Sequence, residues 1–446
     1  MIMSLFNKKP EKEKPILATN IIFKISGVPE YTFVNREKLS EEIEQHLDAK
    51  DGVLLFLGYS KSGKTVFRKK HIEERGFNLV TYRGNNASTA SDLYKQIATQ
   101  LGLIQIKELQ QTRSKSSSSE EEEQIGNRNI GHVRDKKTDS SENKISTISD
   151  VSTSDINVNF LCNTLSGKNV LVVIEDYHLV SNDFNRTLSE DLKHFLDEEI
   201  LFLLIGIPSS PNRALKNNPD LAGRMSHFSF DYLSREEIKH IIHTGGDLLN
   251  IEFKEDVVEE IINCSLKNAY LVQYICRSIA LSKNVKNTSN HKIVISDPND
   301  VHEACRNIAK TLDSDYSSIY ENISSGARAQ QQTKAFNQYE EVLKAVKHFP
   351  IEQLERGISH RTISSLSWTN MPAEKIKQYI DNETYKSEHS FKSSINTQIK
   401  NAVDKINDNL SVSATKPIIY VNDSTIYLTD IIFKFYINWK TDKAYA

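Results

Sequence analysis

One stretch of eight residues, Gly58–Thr65 (GYSKSGKT), constrains the fold of this chain more than any other feature. It has the spacing G-x-x-x-x-G-K-[ST] and directly follows the apolar run Val53–Leu57. That run predicts a short strand covered on both faces, and the residues from Lys64 to His71 predict a helix. Glycines let a backbone wrap around phosphate oxygens, and N–H groups at a helix start point at negative charge. The sequence therefore predicts a phosphate-binding loop between a strand and a helix.

The side chains of this loop predict a nucleoside triphosphate with a metal ion as its ligand, and we expect ATP with Mg²⁺. Lys64 is expected to reach the β- and γ-phosphates, and the Thr65 hydroxyl is expected to bind Mg²⁺. The expected nucleotide-binding residues are Gly58, Ser60, Lys61, Ser62, Gly63, Lys64 and Thr65.

Two carboxylates follow another apolar run. Val170–Ile174 (VLVVI) predicts a buried strand, and Glu175 and Asp176 come directly after it. A phosphate loop needs an acidic partner at the end of a neighbouring strand, where one carboxylate holds Mg²⁺ and the other polarises the attacking water. The alternative is a pair of solvated acids at a strand end.

Strands and helices alternate through the first half of the chain. Leu79–Tyr82 and Ile200–Ile207 predict two more strands, and Ser91–Leu101 predicts a helix between strands. This alternation predicts a parallel sheet in a three-layer α/β domain. The expected divisions are a polar tail 1–18, a core 19–230, a helical lid 231–312, a linker 313–335 and a C-terminal unit 336–446.

Residues 113–155 interrupt the predicted core. The segment contains SKSSSSEEEE and DKKTDSSENK, with few apolar residues and no helical or strand period. Burial cannot offset the entropy of ordering such a segment, so we expect a disordered surface insertion. A regulatory or partner-binding role is the alternative.

The pattern after Phe230 predicts helices only. Ser234 and Glu237 have the spacing of a capping box at a helix start, and Gly245–Gly246 is expected to end that helix. Three further lid helices are expected, near Lys254–Cys264, near Ala269–Leu281 and up to Leu312.

The C-terminal unit predicts a winged helix, because three helical periods precede a β-hairpin. The hairpin is expected from Ile418–Val421 and Thr425–Leu428, with the polar residues 422–424 as its turn. Winged helices often bind DNA, but basic and acidic residues are nearly equal in number over 335–446. A DNA reader concentrates positive charge, so contact with protein is weighed slightly above contact with DNA.

Composition and charge narrow the class of protein. The net charge of -3 argues against a surface that attracts nucleic acid all over. The four scattered cysteines, Cys162, Cys264, Cys276 and Cys305, are interpreted as unpaired buried thiols in a reducing compartment. No apolar run approaches the ~20 residues that cross a bilayer, and the N-terminus lacks a secretory pattern. We expect a cytoplasmic protein without a membrane partner.

These features together resemble the AAA+ and signal-transduction (STAND) ATPases, especially the branch with archaeal and bacterial origin-recognition initiators. Phe33–Glu37 (FVNRE) looks like the family's F-V-G-R-E segment near the adenine, and Pro208–Ser210 stands where the family places a polar sensor. Arg224, before a final strand His227–Phe230, resembles an arginine that reaches a γ-phosphate, commonly that of a neighbouring subunit. The resemblance implies a P-loop ATPase core, a lid and a winged helix.

The chain departs from this family at the acidic strand end. Family members usually have Asp-Glu there, whereas this chain has Glu175-Asp176. The resemblance then assigns Glu175 to the metal with Thr65, and Asp176 to the water. A carboxylate misplaced by about 1 Å costs on the order of 10²-fold in rate, so slow hydrolysis is expected. Arg224 is the third expected catalytic residue, and a structural ion pair is its alternative role.

Three functions follow from this interpretation. The first is an ATP-controlled switch that self-associates and engages a partner, in a signalling or anti-phage system whose effector is encoded separately. The second is a DNA-binding initiator or transposition helper that acts through the winged helix. The third is a nucleotide-binding scaffold with little hydrolysis.

Overall fold

The computed structural model describes residues 15–50, 52–104, 155–207, 221, 223–230, 232–325, 337–381, 385–411 and 418–440. The predicted insertion lies outside these residues except for Asp155, as do Pro208–Ser210 and most of the predicted tail.

A parallel sheet of five strands forms the centre of the core. Its strands are β1 (Val53–Leu57), β2 (Asn78–Arg83), β3 (Val170–Glu175), β4 (Leu201–Gly206) and β5 (Met225–Ser229). They lie in the order β2-β3-β4-β1-β5, and each neighbouring pair is parallel. Strands β1 and β4 are apolar and almost wholly buried, as expected for strands covered on both faces.

Helices cover both faces of this sheet. In chain order the helices up to residue 197 are α1 (Thr19–Ile22), α2 (Glu37–Ala49), α3 (Lys64–His71), α4 (Ala90–Gln100), α5 (Val158–Leu165) and α6 (Asn182–Asp197), and all of them except α1 pack on the sheet. Apolar side chains of α4, α5 and α6 pack on one face, and those of α2 and α3 pack on the other. The predicted three-layer α/β fold is therefore confirmed.

The lid, residues 232–312, contains α7 (Arg235–Leu249), α8 (Glu255–Cys264), α9 (Ala269–Ser282) and α10 (Asn299–Thr311). It is not purely helical, because β6 (Ile251–Phe253) and β7 (Ile293–Ile295) form a small parallel sheet. The N-terminal segment also departs from the predicted division. Ile22 and Phe23 belong to the apolar core of the lid and C-terminal unit, because α1 packs on α7 and α9.

The predicted end of helix α7 at Gly245–Gly246 is wrong. The helix begins with the predicted capping box of Ser234 and Glu237 and continues to Leu249. A Cβ on Gly245 would lie 2.2 Å from the Phe23 ring, and one on Gly246 would lie 2.7 Å from the carbonyl oxygen of Ile251. These glycines therefore permit close packing, which their helix-breaking tendency did not indicate.

The predicted linker contains a helix, α11 (Asp313–Ser325). Tyr316, Ile319 and Ile323 recur at helical spacing and are buried. This buried face packs on the C-terminal unit and holds α11 there.

The C-terminal unit contains the predicted helices and hairpin together with shorter elements. Its helices are α12 (Gln338–His348), α13 (Ile351–Arg356), α14 (His360–Thr369), α15 (Ala373–Asp381), α16 (Glu388–Ser411) and α17 (Ile431–Trp439). Strands β8 (Ile358–Ser359), β9 (Ile419–Asn422) and β10 (Thr425–Leu428) form an antiparallel sheet in the order β8-β10-β9. The hairpin turn has Asp423 and Ser424 at positive φ, as a two-residue turn of type I′ requires.

Within the described residues, no helix is both long enough and apolar enough to cross a membrane. All four cysteines are buried and unbridged, as predicted.

Candidate functional site

The predicted phosphate loop joins β1 to α3 at the carboxyl end of the sheet. Gly63 has φ +96°, a left-handed conformation that strongly favours glycine, and open space surrounds the place of its Cβ. Gly58 is needed for a different reason, because a Cβ there would lie 2.7 Å from the Ser62 hydroxyl and the Phe230 carbonyl oxygen. One glycine therefore sets the backbone of the loop, and the other allows it to pack on the residue after β5.

Lys64 lies over the loop that it is expected to serve. Its ammonium group donates to the carbonyl oxygens of Gly58 and Tyr59, at 2.7 Å each, and to the Ser62 hydroxyl at 3.2 Å. These acceptors hold the charge at the start of α3, beside the N–H groups that a helix presents to anions.

The two predicted carboxylates lie at the end of β3, but β3 does not neighbour β1 as expected. Strand β4 lies between them and ends in Gly206, a residue without a side chain. Glu175 and Asp176 nevertheless line one cavity of about 180 Å³ with Lys64 and Thr65. Parallel strands end at the same edge of the sheet, so one intervening strand does not separate the groups.

Each carboxylate has a basic partner that sequence reasoning missed. Arg68, only 4% exposed, places Nη2 3.2 Å from Glu175 Oε1 and bonds Glu73 through Nη1 at 2.8 Å. Asp176 has a φ of 53° and lies 3.6 Å from Nε of the exposed Arg83. Arg68 lies one turn after Lys64 on α3 and opens a run of four basic residues that ends at His71, so the local sequence gave no signal that singled it out.

A second cavity, of about 340 Å³, continues on the other side of the loop and shares Lys61, Lys64 and Thr65 with the first. Phe33, Val34 and Arg36, from the segment FVNRE that resembles F-V-G-R-E, line this cavity. The Arg36 guanidinium donates to the Ser62 carbonyl oxygen at 3.1 Å, which ties this segment to the phosphate loop.

Gln273 of helix α9 gives the second cavity one polar group with a fixed orientation. The Thr32 hydroxyl donates its single hydrogen to the Ile22 carbonyl oxygen at 2.9 Å, so its oxygen can only accept. The Gln273 amide nitrogen donates to that oxygen at 2.7 Å. Its other end, Oε1, is buried without a hydrogen-bond partner, and the residue lines the cavity. The side chain therefore offers an acceptor there.

The lid contacts the tip of the loop. The Lys61 ammonium lies 4.0 Å from the centre of the Tyr270 ring, and the Asn268 amide donates to the Lys61 carbonyl oxygen at 3.5 Å. Burial lowers the pKa of Lys61, and the charges of Asp430 and Asp315 oppose that shift.

The C-terminal unit also reaches the phosphate side of the site. Thr429 and Asp430, which connect β10 to α17, line the same cavity as Lys64, Thr65 and Glu175. Asp430 caps α17 by accepting from the N–H of Ile432 at 2.8 Å, and its second oxygen accepts from the Tyr316 hydroxyl at 2.9 Å. Its carboxylate is therefore held in place by α17 and α11.

Arg224 does not join the site of its own chain. It precedes β5, at the amino end of the sheet, whereas the loop lies at the carboxyl end. A strand of five residues separates the two ends by about 15 Å. Its guanidinium donates to Asp197 Oδ1 at 2.9 Å, and 45% of its side chain is exposed. The predicted sensor Pro208–Ser210 lies outside the described residues.

The loop after β1 and the strand order β2-β3-β4-β1-β5 define the fold of the core, which is that of P-loop nucleotide-binding proteins. No family model and no curated protein matches the chain. Among solved structures, the Walker-type ATPase PABY2304 of Pyrococcus abyssi is similar, at 13% identity and a TM-score of 0.49, over 93% of this chain and 99% of that chain.

Two further solved structures are similar to the chain. One is the Aeropyrum pernix ORC2 protein, at 13% identity and a TM-score of 0.42, over 95% of this chain and 98% of that chain. The other is the Thermotoga maritima RuvB Holliday junction branch migration motor, at 15% identity and a TM-score of 0.36, over 64% and 78%. Likenesses at this level concern the fold, and the ligand of the site has to be inferred from the residues of this chain.

Proposed function

We propose that the chain binds ATP with Mg²⁺ across the two cavities, and that the bound nucleotide controls the position of the C-terminal unit. The observation that carries this proposal is the shared lining of the phosphate cavity. Lys64 and Thr65 of the core and Thr429 and Asp430 of the C-terminal unit face the same space.

The loop binds the phosphates and Lys64 reaches their terminal oxygens. The ammonium group exchanges its loop acceptors for phosphate oxygens, which are stronger because they are charged. The start of α3 adds N–H donors and a partial positive charge.

The donors beside the loop fit Mg²⁺, which prefers oxygen ligands. The Thr65 hydroxyl and a Glu175 carboxylate oxygen supply them from one cavity, and Asp176 orients the attacking water. When bound, Mg²⁺ neutralises charge on the phosphates. Arg68 competes for Glu175 through its ion pair at 3.2 Å, which supports slow hydrolysis.

Gln273 selects adenine in the second cavity. Its Oε1, which is buried at the cavity lining and has no hydrogen-bond partner, accepts a hydrogen from the exocyclic amino group of adenine. Guanine has a carbonyl oxygen at that position, and two facing acceptors repel one another. A polar group that finds no partner inside a site weakens binding strongly.

Asp430 makes the position of the C-terminal unit depend on the terminal phosphate. A γ-phosphate adds negative charge beside this carboxylate, and like charges a few ångströms apart repel each other. ADP lacks this group. We therefore expect ADP to leave the C-terminal unit in place and ATP to displace it.

The test compares Asp430→Asn with wild type, since asparagine keeps the helix cap and removes the charge. In wild type, a non-hydrolysable ATP analogue is expected to increase the radius of gyration in small-angle scattering, relative to ADP. Asp430→Asn is expected to bind the analogue about fivefold more tightly, with ADP affinity unchanged. Asp423→Asn, in the exposed hairpin turn of the same unit, is the matched control.

The outcomes separate the two parts of the proposal. If wild type binds no Mg-nucleotide, or Lys64→Ala binds it equally well, nucleotide binding itself is wrong. If binding is normal but ADP and the analogue give the same scattering curve, only the switch is wrong.

We further propose that the ATP state self-associates in the cytoplasm through Arg224 and engages a protein partner or a separately encoded effector, in signalling or anti-phage defence. We propose that the C-terminal unit is a winged helix. When ATP displaces it from the core, a surface of this unit becomes available to the partner. DNA binding by this unit stays an alternative hypothesis, and a gel shift at low salt tests it.

A further inference from the structure

Two lid helices bring a thiol, an imidazole and a carboxylate together, far along the chain from the phosphate loop. On α8, Glu260 and Cys264 are four residues apart and lie on one face. His302 of α10 faces them. His302 Nε2 lies 2.7 Å from Glu260 Oε1, and Cys264 Sγ lies 3.1 Å from the same oxygen.

The three ligand atoms are compact enough for a single ion. All lie within 4.8 Å of one another. A tetrahedral zinc ion with ligands at 2.0–2.3 Å separates them by about 3.3–3.8 Å. Small side-chain rotations are therefore enough to bring these atoms to the required spacing.

The chemistry of the donors selects the ion. Thiolate and imidazole favour Zn²⁺ among common divalent ions, whereas Mg²⁺ and Ca²⁺ prefer oxygen alone. Without a metal, an ion pair between Glu260 and His302 and a hydrogen bond from the Cys264 thiol to Glu260 would fasten α8 to α10, so the uptake of Zn²⁺ is what distinguishes the two alternatives. Cys305, one turn after His302, adds a second thiol in contact with that of Cys264.

The position also allows an ion to enter. The side chains of His302 and Glu260 are 35% and 27% exposed, while Cys264 is buried behind them. A fourth position toward solvent is left for water. The Trp439 ring of α17 lies 5.3 Å from the His302 ring, so binding there changes the surroundings of an indole.

We propose that Glu260, Cys264 and His302 bind Zn²⁺ with a water as fourth ligand, and that the ion fastens α8 to α10. The site does not depend on nucleotide. It would make the lid a rigid support for Gln273, which lines the second cavity, and for Asn268, which donates to the Lys61 carbonyl oxygen of the loop.

The experiment uses the untagged full-length chain, stripped of metal by a chelator and kept reduced without added thiols. Zn²⁺ affinity is measured by competition with a chromophoric chelator, and Co²⁺ serves as a spectroscopic probe. Wild type is expected to bind one equivalent of Zn²⁺, and its Co²⁺ form is expected to show thiolate-to-metal charge-transfer absorption.

Cys264→Ala and His302→Ala are expected to weaken Zn²⁺ binding by at least about tenfold, and Cys264→Ala is expected to remove the charge-transfer band. Cys162→Ala removes a buried thiol of the core and is the control for cysteine removal. It is expected to keep the Zn²⁺ affinity and the charge-transfer band of wild type. Glu175→Gln is also expected to keep the Zn²⁺ affinity and the charge-transfer band, and this result would show that Zn²⁺ does not bind at the phosphate site.

A second readout leaves the thiols intact. In a Trp368→Phe background, Zn²⁺ is expected to change the fluorescence of Trp439, and His302→Ala is expected to abolish that change. The proposal is overturned if wild type takes up no Zn²⁺, if its Co²⁺ form lacks the charge-transfer band, or if Cys162→Ala behaves like Cys264→Ala.

Discussion

At the residue scale, Gln273 depends on its neighbour Thr32 for its orientation. Gln273→Met keeps the volume of the side chain and removes the acceptor. We expect ATP affinity to fall about 5–30-fold, because one hydrogen bond in a buried site is lost. GTP affinity should fall less or rise, so that discrimination between the two nucleotides narrows. Isothermal titration with both nucleotides measures the effect.

Thr32→Ser provides the control for this prediction. Serine keeps a hydroxyl that can donate to the Ile22 carbonyl oxygen and accept from the Gln273 amide, so wild-type discrimination is expected. Undiminished preference for ATP in Gln273→Met would rule out this role for the glutamine.

Lys434 gives the C-terminal unit a pH-dependent contribution to stability. Its ammonium group, 4% exposed, donates to the carbonyl oxygens of Val346, Lys347 and Phe349 at the end of α12. Lys434→Met leaves these acceptors without that donor, and we expect a loss of about 1–3 kcal/mol near neutral pH, measured by denaturant unfolding.

The pH dependence has a defined sign. Burial lowers the pKa of Lys434 from 10.5 to about 8. Between those values the unfolded chain holds the proton that the folded chain has released, so the contribution of this group to stability rises with pH. The difference in unfolding free energy between wild type and Lys434→Met should therefore grow from pH 8 to pH 10. A constant or shrinking difference would contradict this interpretation.

Sequence reasoning predicted the loop between β1 and α3 because a local spacing encodes the loop backbone. Gly58, Lys64 and Thr65 lie where the motif predicts them. Gln273 and Asp430 could not be found in this way. Each reaches the candidate site through tertiary packing of a separate unit, and neither has a local pattern that differs from that of an ordinary helix or cap.

At the scale of elements, helix α7 shows why glycine was misleading. The two glycines predict an end on propensity, since each costs about 1 kcal/mol in a helix interior. Packing against Phe23 and Ile251 overrides that cost, because only a hydrogen fits at these positions. The strands β6 and β7 were missed because three residues are too few to show a period.

Gly245→Ala tests this packing. Alanine favours the helix, but its Cβ would lie 2.2 Å from the Phe23 ring, and overpacking of this kind costs about 1–3 kcal/mol. We expect a lower unfolding free energy in urea. His243→Ala, exposed on the same helix, should stay within about 0.5 kcal/mol of wild type. A stabilised Gly245→Ala would mean that propensity prevails.

At the scale of the whole molecule, Lys64 lies at the carboxyl end of the sheet and Arg224 lies at its amino end. Under the proposed self-association the arginine of one copy serves the site of its neighbour, so we expect Arg224→Ala to keep the ATP affinity of the single chain and to lower the hydrolysis rate at least about 10²-fold. Arg186→Ala, exposed on α6, is the control and should hydrolyse ATP normally. Phosphate release and nucleotide titration measure the two quantities.

Mixing variants makes this prediction specific. Lys64→Ala and Arg224→Ala are each expected to be inactive alone, whereas their mixture places an intact loop beside an intact arginine. Activity should therefore return on mixing. No recovery in the mixture would leave Arg224 with only its ion pair to Asp197.

The separation of these two groups has a consequence for any assembly. Copies related head to tail use different surfaces on each side, so they close into a ring or continue as an open filament. In an open filament the two ends are unequal. The copy at one end has a loop that no neighbour's arginine completes, and the copy at the other has an arginine without a target. Such a filament has polarity, and hydrolysis would be slowest at one identifiable end.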